Sequence, residues 1–208
     1  MNIVLLGAAG SGKGTQCEIL TKKLNIPSIS IGDLFRQNIK NKTPIGVVAE
    51  GFVNSGILVP DDIVLKMLQE RLSKPDCKNG YLLDGYPRTL KQAEMLQKIS
   101  KIDVVINIKT SNHLLLNRIM GRRICKNCNS TLHIDFLDNK ERCPKCGSSI
   151  EMRKDDADKT AVERRLKMYE ENIEPLLTFY KKQNILHEVS SDEGKEETFN
   201  QISQVLKI

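Results

Sequence analysis

The sequence predicts an α/β fold in which helices cover both faces of a parallel β-sheet. Short apolar runs at 2–6, 81–83 and 104–108 lack the polar alternation of a half-exposed sheet, as is typical of strands buried on both faces. Segments with helical spacing separate these runs, as the crossover connections between parallel strands require. A glycine-rich stretch follows the first run directly. At 208 residues the chain suffices for one compact domain with small insertions.

The first half of the chain alternates between extended and helical patterns. Its predicted elements are a strand at 2–6, a helix at 13–24, a short extended segment at 28–30, helical turns over 33–54 and a helix at 62–72. Pro27 is expected to end the first connection. Thr43-Pro44 and Gly51 are expected to interrupt the helical turns. Asp61 is predicted to be the N-cap of the following helix, because its carboxylate accepts from free backbone N–H groups.

The second half continues the alternation around a cysteine-containing insert. Its predicted elements are a strand at 81–84, a helix at 90–99, a strand at 104–108, a helix at 112–120, the insert up to 150, an amphipathic helix at 158–182, a strand at 185–189 and a closing helix at 195–206. Gly7 and Asp84 each stand at the carboxyl end of a predicted strand. Since ligands of parallel sheets bind at that edge, the two residues are expected to face one site.

Residues 7–15 read Gly-Ala-Ala-Gly-Ser-Gly-Lys-Gly-Thr and lie between a strand and a helix pattern. That order is the context a phosphate-binding loop requires. Glycines let successive backbone N–H groups turn toward an anion, the helix presents its positive end, and Lys13 adds an ammonium group. Gly14 stands where Ser or Thr is usual, and Thr15 comes next. The loop predicts binding of a nucleoside polyphosphate rather than a turn without a ligand.

Asp84 directly follows three apolar residues of the second core strand. In phosphate-loop enzymes a carboxylate at such a strand end commonly holds Mg²⁺, often through water. The alternative is an aspartate that forms a turn by binding its own backbone. The metal role is favoured because Asp84 and the phosphate loop are expected at the same sheet edge.

Six cysteines divide into a group of four and two single residues. The group has the spacing C-x2-C-x14-C-x2-C and consists of Cys125, Cys128, Cys143 and Cys146. Two such pairs close a tetrahedral thiolate site, for which Zn²⁺ in a structural role is the expected ion. Free thiols or an iron site are the alternatives. Cys17 and Cys77 are expected to be buried or half-buried thiols without a chemical role.

The formal net charge of +6 allows either a nucleic-acid surface or arginines gathered around small-molecule phosphates. The arginines that stand beside turns and glycines are residues 36, 88, 118, 122, 123, 153, 164 and 165. Arginine suits bidentate contact with phosphate, although pairing with neighbouring carboxylates is the alternative for each of them. The chain has no Trp and few aromatic residues, so few side chains are available on which the bases of a single-stranded nucleic acid could stack.

Targeting signals are not apparent in the sequence. Its apolar runs all stay below the roughly 20 residues of a membrane span, and the strand pattern starts at residue 2, where a signal peptide would carry its basic region. We therefore expect a cytoplasmic protein that does not associate with membranes.

Several motifs together carry a resemblance that spans essentially the whole chain. They are Gly7–Thr15, Ile29–Arg36, Leu58–Asp61, Leu83–Thr89, Gln92, Gly121–Cys125 and Arg153–Asp156. In these motifs the chain is similar to adenylate kinases, specifically the bacterial form whose long lid carries a metal. The resemblance implies a P-loop NTPase-like doubly wound sheet of five parallel strands, with mobile inserts at 30–59 over AMP and 122–157 over ATP. The remaining ranges, 1–29, 60–121 and 158–208, would form the core domain.

The resemblance also implies a role for each matching residue. ATP would be held by Gly10, Ser11, Gly12, Lys13, Gly14, Thr15, Arg122, Thr131 and Leu132. AMP would be held by Ile31, Arg36, Ile57, Leu58, Val59, Gly85, Tyr86, Pro87, Arg88, Gln92, Arg153 and Arg165. The catalytic residues would be Lys13, Arg88, Arg118, Arg122, Arg153 and Arg165. The four paired cysteines would hold structural Zn²⁺, and Asp84 would hold Mg²⁺ through water.

Three departures from the family pattern bear on these roles. Ile31 replaces a threonine, which removes a hydroxyl from the AMP pocket and is expected to weaken AMP binding severalfold, since one hydrogen bond contributes about 1 kcal/mol. Ala9 replaces a proline in the phosphate loop. The segment from Arg153 to the helix arginine is one residue longer than usual, so Arg164 and Arg165 compete for one role. Arg165 is favoured because it directly precedes the apolar position Leu166.

The resulting hypothesis is the reaction ATP + AMP ⇌ 2 ADP with Mg²⁺, by direct in-line transfer in a monomeric enzyme. A kinase for another nucleoside monophosphate, UMP or CMP, is the nearest alternative; Gln92 and the full-length lid argue against it. A nucleic-acid-binding zinc protein that uses ATP is the alternative from a different class, and a zinc-stabilised ATP-binding scaffold without turnover is a third. The mixed charges between the cysteine pairs argue against a nucleic-acid surface.

Overall fold

A computed structural model of the chain describes residues 1–138 and 141–208. The strands are β1 (Asn2–Leu6), β2 (Ser28–Ser30), β3 (Tyr81–Asp84), β4 (Val104–Lys109), β5 (Arg122–Cys125), β6 (Thr131–His133), β7 (Ile150–Glu151) and β8 (Leu186–Ser190). The α-helices are α1 (Lys13–Leu24), α2 (Ile31–Lys40), α3 (Pro44–Ser55), α4 (Asp61–Leu72), α5 (Leu90–Ile99), α6 (Asn112–Met120), α7 (Lys154–Ala157), α8 (Lys159–Lys181) and α9 (Lys195–Leu206).

The main sheet has five parallel strands in the order β2-β3-β1-β4-β8. This confirms the predicted α/β class. Both faces of the central strand β1 are buried because its side chains alternate between two hydrophobic clusters. Ile3 and Leu5 pack with residues of α1 and α9, whereas Val4 and Leu6 pack with residues of α2, α4, α5 and α8. The predicted absence of polar alternation in this strand follows from that position.

The register of the sheet aligns the carboxyl ends of its central strands. Leu5 of β1 pairs with Asp84 of β3, and Leu6 pairs with Asn107 of β4. Asp84 therefore lies beside the point where β1 passes into the glycine-rich loop, as the sequence predicts. The single cysteines Cys17 and Cys77 are buried, also as predicted.

Two local predictions in the first half are wrong. Gly51 does not interrupt the helix, since α3 runs through it from Pro44 to Ser55. A single helical glycine costs only about 1 kcal/mol, and burial of Ala49 and packing of Phe52 against the core offset that cost. Asp61 is not an N-cap but the first residue of α4, after Pro60. Its carboxylate instead accepts a hydrogen bond from Gln92 Nε2.

The cysteine-containing insert forms a small antiparallel sheet that the sequence analysis did not predict. Its strands have the order β6-β5-β7. After it, α7 precedes the long helix α8, whose N-terminus is capped where Asp158 Oδ1 accepts from Thr160 N at 2.9 Å. In the part of the chain that the structure describes, no helix has the length and apolar character needed to cross a bilayer.

Candidate active site

The loop between β1 and α1 depends on glycine at two points of close approach. Gly7, Gly10 and Gly12 have φ angles of 147°, 85° and 91°, in the region that side chains disfavour. A Cβ on Gly7 would lie 2.8 Å from the carbonyl oxygen of Ile108, and one on Gly10 would lie 2.8 Å from that of Leu115. These backbone contacts fix the loop against β4 and α6.

The N-terminus of α1 opens directly onto this loop. Its N-cap is Gly12, and no side chain of the described residues caps it. The first turn, Lys13-Gly14-Thr15, contains no acidic residue. The first backbone N–H groups of the helix and its positive dipole end are therefore available to an anion, which is the arrangement that binds phosphate.

The ammonium group of Lys13 lies inside the loop. Lys13 Nζ donates to the carbonyl oxygens of Gly7 at 2.7 Å and Ala8 at 2.8 Å. Burial lowers the pKa of Lys13 to about 8, an effect that the negative charge of Asp84 opposes and the charge of Arg88 increases. The structure thus brings Lys13, Asp84 and Arg88 close enough to influence one another, although they are far apart in sequence.

Two buried aspartates gather three arginines at the root of the insert. Asp156 accepts from Arg122 Nε and Nη2, both at 2.6 Å, and from Arg165 Nη1 at 2.7 Å. Asp155 accepts from Arg153 Nε at 3.0 Å. Asp155 and Asp156 are 8% and 0% exposed. Their burial is tolerated because every carboxylate is paired and hydrogen-bonded.

The guanidinium groups keep this aspartate pair ionised. Burial alone would raise both pKa values, but Arg153 holds the pKa of Asp155 well below its usual range. Hydrogen bonds from Arg122 hold the pKa of Asp156 below its usual value in the same way. The aspartate pair is therefore a fixed double negative charge that orients the three arginines.

Arg36 and Arg88 extend the positive region beyond this cluster. Arg36 forms an ion pair with Asp33, and Arg88 Nε donates to the carbonyl oxygen of Gly85 at 2.8 Å. Desolvation in the cleft, followed by the charge of Arg165, lowers the pKa of Arg88 to about 10. A guanidinium surrounded by like charges favours an incoming anion such as phosphate.

A pocket beside these arginines contains nearly all the residues predicted for the monophosphate site. Its lining includes Ile31, Arg36, Ile57, Leu58, Val59, Gly85, Tyr86, Arg88, Gln92, Arg153 and Arg165. Pro87 lies at the buried Tyr86–Pro87 cis peptide bond and outside this lining. Ile31 is 3% exposed, so the residue that departs from the family pattern packs into the hydrophobic core.

Three other predicted residues lie away from the aspartate pair. Arg118 donates to Ser191 through Nη1 and Nη2, at 2.9 and 2.8 Å, and so contacts the loop after β8. Thr131 and Leu132 lie on β6, where Leu132 pairs with Arg123 of β5. Of the two competing arginines, Arg165 binds the aspartate pair, whereas the exposed Arg164 donates to the Ser55 carbonyl oxygen at 3.3 Å.

The four paired cysteines converge on one point. Their sulfur atoms all lie within 4.8 Å of one another. Cys125 Sγ lies 3.4 Å from Cys146 Sγ, and Cys128 Sγ lies 3.6 Å from Cys143 Sγ. Four thiolates at Zn–S distances of about 2.3 Å would be about 3.8 Å apart. The cluster therefore fits a closed tetrahedral site with four protein ligands.

The sequence predicts no specific role for Asp155 or Asp156. Asp155 and Asp156 lie within the motif Arg153–Asp156, separated from Arg153 by Lys154, and the signal for them is a pair of adjacent carboxylates near several arginines. Asp61 was interpreted only as a helix cap. Its contact with Gln92 joins residues 31 positions apart and has no local sequence signature.

Comparisons with known proteins give matches over nearly the whole chain. Residues 5–185 match the family model described as "Adenylate kinase". The adenylate kinase of Clostridium tetani is 45% identical over 213 aligned residues, covering 99% of this chain and 98% of the relative. That of Desulforudis audaxviator is 46% identical over 200 residues, covering 93% of each chain. That of Caldicellulosiruptor bescii is 44% identical over 214 residues, covering 100% and 98%.

Proposed function

Since the chain belongs to the adenylate kinase family, we propose a specific role for each of its site residues. The protein is a phosphotransferase that catalyses the reversible transfer of a phosphoryl group from ATP to AMP, giving two molecules of ADP. A UMP or CMP kinase is not favoured, because the relatives of nearly full length are named for adenylate. The observation that carries the proposal is the convergence of Lys13, Arg88 and the aspartate-bound arginines on one cleft.

The donor ATP is held by the phosphate loop. The backbone N–H groups of 10–15 and the positive end of α1 bind its phosphates, and Lys13 Nζ exchanges its carbonyl partners for phosphate oxygens. Arg122, Thr131 and Leu132 contact the nucleotide from the insert. This arrangement is supported by the uncapped α1 N-terminus and by the position of Lys13 Nζ inside the loop.

The acceptor AMP occupies the pocket that contains Arg36, Arg88 and Gln92. The two arginines bind its phosphate, and Gln92 with the main chain near 57–59 reads its adenine. Arg88 is suited to this role because its neighbours repel it and a phosphate dianion relieves that repulsion.

The transferring phosphoryl group lies between donor and acceptor, where charge develops on its oxygens. Arg118, Arg122, Arg153 and Arg165 stabilise that charge, together with Lys13 and Arg88. Transfer is direct and in line, and catalysis comes from positioning and electrostatics rather than from a strong base. Because stray water would hydrolyse the donor, the arginines on the insert also serve to close the site.

Adenylate kinases use Mg²⁺ with ATP, and Asp84 is the residue proposed to hold the ion through water. Asp84 is a half-buried carboxylate beside the phosphate loop, and oxygen donors with retained water are what Mg²⁺ prefers. When bound, Mg²⁺ neutralises charge on the ATP phosphates.

The paired cysteines are compatible with zinc, and we assign Cys125, Cys128, Cys143 and Cys146 to a structural Zn²⁺ site.

The chain divides into a core of 1–29, 60–121 and 158–208, with an AMP-binding insert at 30–59 and a zinc-binding lid at 122–157. The separate antiparallel sheet of the lid supports this division. Lys145 of the lid forms an ion pair with Glu18 of α1 at 3.1 Å, which supports closure of the lid over the phosphate loop. The enzyme is proposed to act as a cytoplasmic monomer that does not bind nucleic acid, and the mixed charges between the cysteine pairs support the last of these points.

A coupled assay of ADP formation with ATP and a panel of acceptors tests the function. AMP is expected to give the highest kcat/KM, with CMP and UMP far lower. A preference for UMP or CMP would contradict the assigned acceptor. A gel shift with DNA and RNA over a salt series tests the nucleic-acid alternative. Salt-dependent binding would contradict the proposal that the protein does not bind nucleic acid.

Replacing Arg165 by alanine is expected to lower kcat about 100-fold, because an arginine directed at the transferring phosphoryl group is lost. Arg164→Ala serves as the matched control, since Arg164 is the adjacent residue of the same helix and, among the described residues, donates to the Ser55 carbonyl oxygen rather than to the aspartate pair. Its kcat is expected to stay within about twofold of wild type. Equal losses in both variants, or the reverse order, would contradict the choice of Arg165.

Removing zinc is expected to lower the thermal midpoint by about 5–10 °C, because the metal supplies most of the folding free energy of the small lid. Metal analysis of the purified protein should give one zinc per chain. Cys143→Ser should lose the zinc and the response to chelator together, whereas Cys17→Ala should retain both. A wild-type midpoint that chelator does not change would contradict the structural role of the metal.

A further inference from the structure

The side-chain amide of Gln92 is hydrogen-bonded on both sides, to a donor at its oxygen and to an acceptor at its nitrogen. Arg88 N donates to Gln92 Oε1 at 2.8 Å, and Gln92 Nε2 donates to Asp61 Oδ1 at 2.8 Å. A main-chain N–H only donates, and a carboxylate only accepts. The Gln92 amide therefore satisfies both partners in just one of its two orientations.

Different neighbours hold the backbone of Gln92 and its side-chain amide. Gln92 is 2% exposed, and its backbone is held by Thr89 Oγ1, which accepts from Gln92 N at 3.2 Å. Tyr86 OH donates to the Gln92 carbonyl oxygen at 3.2 Å. The second oxygen of Asp61 lies 3.0 Å from Lys91 Nζ, which favours the ionised carboxylate. Asp61 and Arg88 N thus orient the amide of Gln92, whereas Thr89 and Tyr86 hold its backbone.

We infer that Asp61 is a positioning residue that makes the acceptor pocket select a 6-amino purine over a 6-oxo purine. The inference rests on the proposed function, in which Gln92 reads the base of AMP. Adenine presents an acceptor at N1 and a donor at its 6-amino group. Hypoxanthine presents a donor at N1 and an acceptor at O6. The fixed amide has one N–H and one oxygen lone pair left, which complement adenine and oppose hypoxanthine.

Loss of the Asp61 carboxylate changes what the amide can present. Without that acceptor, Gln92 can turn by 180° about its last side-chain bond, which costs it the bond with Arg88 N and places its Nε2–H group toward that N–H. The turned amide complements the 6-oxo base. The expected consequence is a specific loss of discrimination, in which kcat/KM for AMP falls while that for IMP holds or rises.

Steady-state kinetics with ATP and either AMP or IMP test this inference. Asp61→Asn keeps the size of the side chain but can offer either an N–H or an oxygen to Gln92. Its ratio of kcat/KM for AMP to that for IMP is expected to fall about tenfold, as for one hydrogen bond to a charged group. Asp61→Ala removes the acceptor altogether and is expected to shift the ratio in the same direction. Equal losses for AMP and IMP would overturn the inference.

Two control variants complete the test. One shows whether the effect of Asp61 is merely a loss of stability near Gln92, and the other shows whether Gln92 reads the base at all. Thr89→Ala removes the cap on the Gln92 backbone, so it should lower the thermal midpoint but keep the AMP-to-IMP ratio. A ratio that falls as far in Thr89→Ala as in Asp61→Asn would overturn the inference. If Gln92→Ala abolishes the preference and Asp61→Asn keeps it, the inference fails and the proposed function stands. If Gln92→Ala keeps the preference, the adenine-reading role proposed for Gln92 fails as well.

Discussion

Lys13→Ala is expected to lower kcat by about 100- to 1,000-fold, since it removes the positive charge that we propose faces the charge developing on the phosphates. The ammonium group already lies inside the loop, 2.7 and 2.8 Å from two carbonyl oxygens. Alanine also leaves those carbonyl oxygens without their donor. A coupled assay at saturating ATP and AMP measures the loss.

Lys23→Ala is the matched control for this variant. Lys23 is exposed in the last turn of the same helix, so its removal tests the loss of one lysine from α1 away from the loop. The control should keep kcat within about twofold. Nearly normal turnover in a purified, folded Lys13→Ala protein would refute the role assigned to Lys13.

Arg88→Ala is expected to lower kcat by a similar factor, about 100- to 1,000-fold, and also to raise KM for AMP, because we propose that the guanidinium contacts both the acceptor phosphate and the transferring group. Arg88→Lys should recover only part of the loss, since a point charge cannot replace the bidentate contact. The measurement is kcat and KM for AMP at saturating ATP, with KM for ATP measured alongside.

The control for Arg88 is Lys98→Ala, an exposed cation on the following helix α5. It should leave both kinetic constants nearly unchanged. KM for ATP should change far less than KM for AMP in Arg88→Ala, because the residue lines the acceptor pocket. An Arg88→Ala enzyme with normal KM for AMP and normal kcat would refute its assignment.

The parts of the site that could be predicted from sequence are those with a local signature. The loop of Gly7–Thr15 carries its glycines, its lysine and its helix in one continuous stretch. Asp84 follows an apolar strand, and parallel pairing alone aligns its end with that of β1. The cysteine pairs carry metal-ligand spacing. In each case the residues that act together are adjacent, or a general rule of sheets brings them together.

The parts that could not be predicted depend on contacts between distant segments. Arg122 and Asp156 are 34 residues apart, and their ion pair exists because the insert returns to the start of α8. Asp61 had a plausible local role as a helix cap, and only the packing of α4 beside α5 shows that its carboxylate serves Gln92. Local preference was overridden there by a tertiary hydrogen bond.

The prediction for Gly51 failed for a related reason. Glycine lowers helix propensity, but propensity is a weak preference that burial of an amphipathic face outweighs. Thr43 correctly marked a boundary, since its hydroxyl caps α3 by accepting from Gly46 N at 3.1 Å. A capping hydroxyl forms a specific hydrogen bond that fixes where a helix begins. A glycine only lowers the stability of the helix and does not end it.

The aspartate pair has a consequence for the energetics of turnover. Gathering three guanidinium groups in one place is unfavourable, and Asp155 and Asp156 compensate that repulsion during folding. The arginines consequently need no nucleotide to hold them together. With the roles proposed for these arginines, each catalytic cycle begins with its cationic groups already assembled. Little binding energy from the substrates is then needed to arrange them, and more of it remains to lower the barrier to transfer.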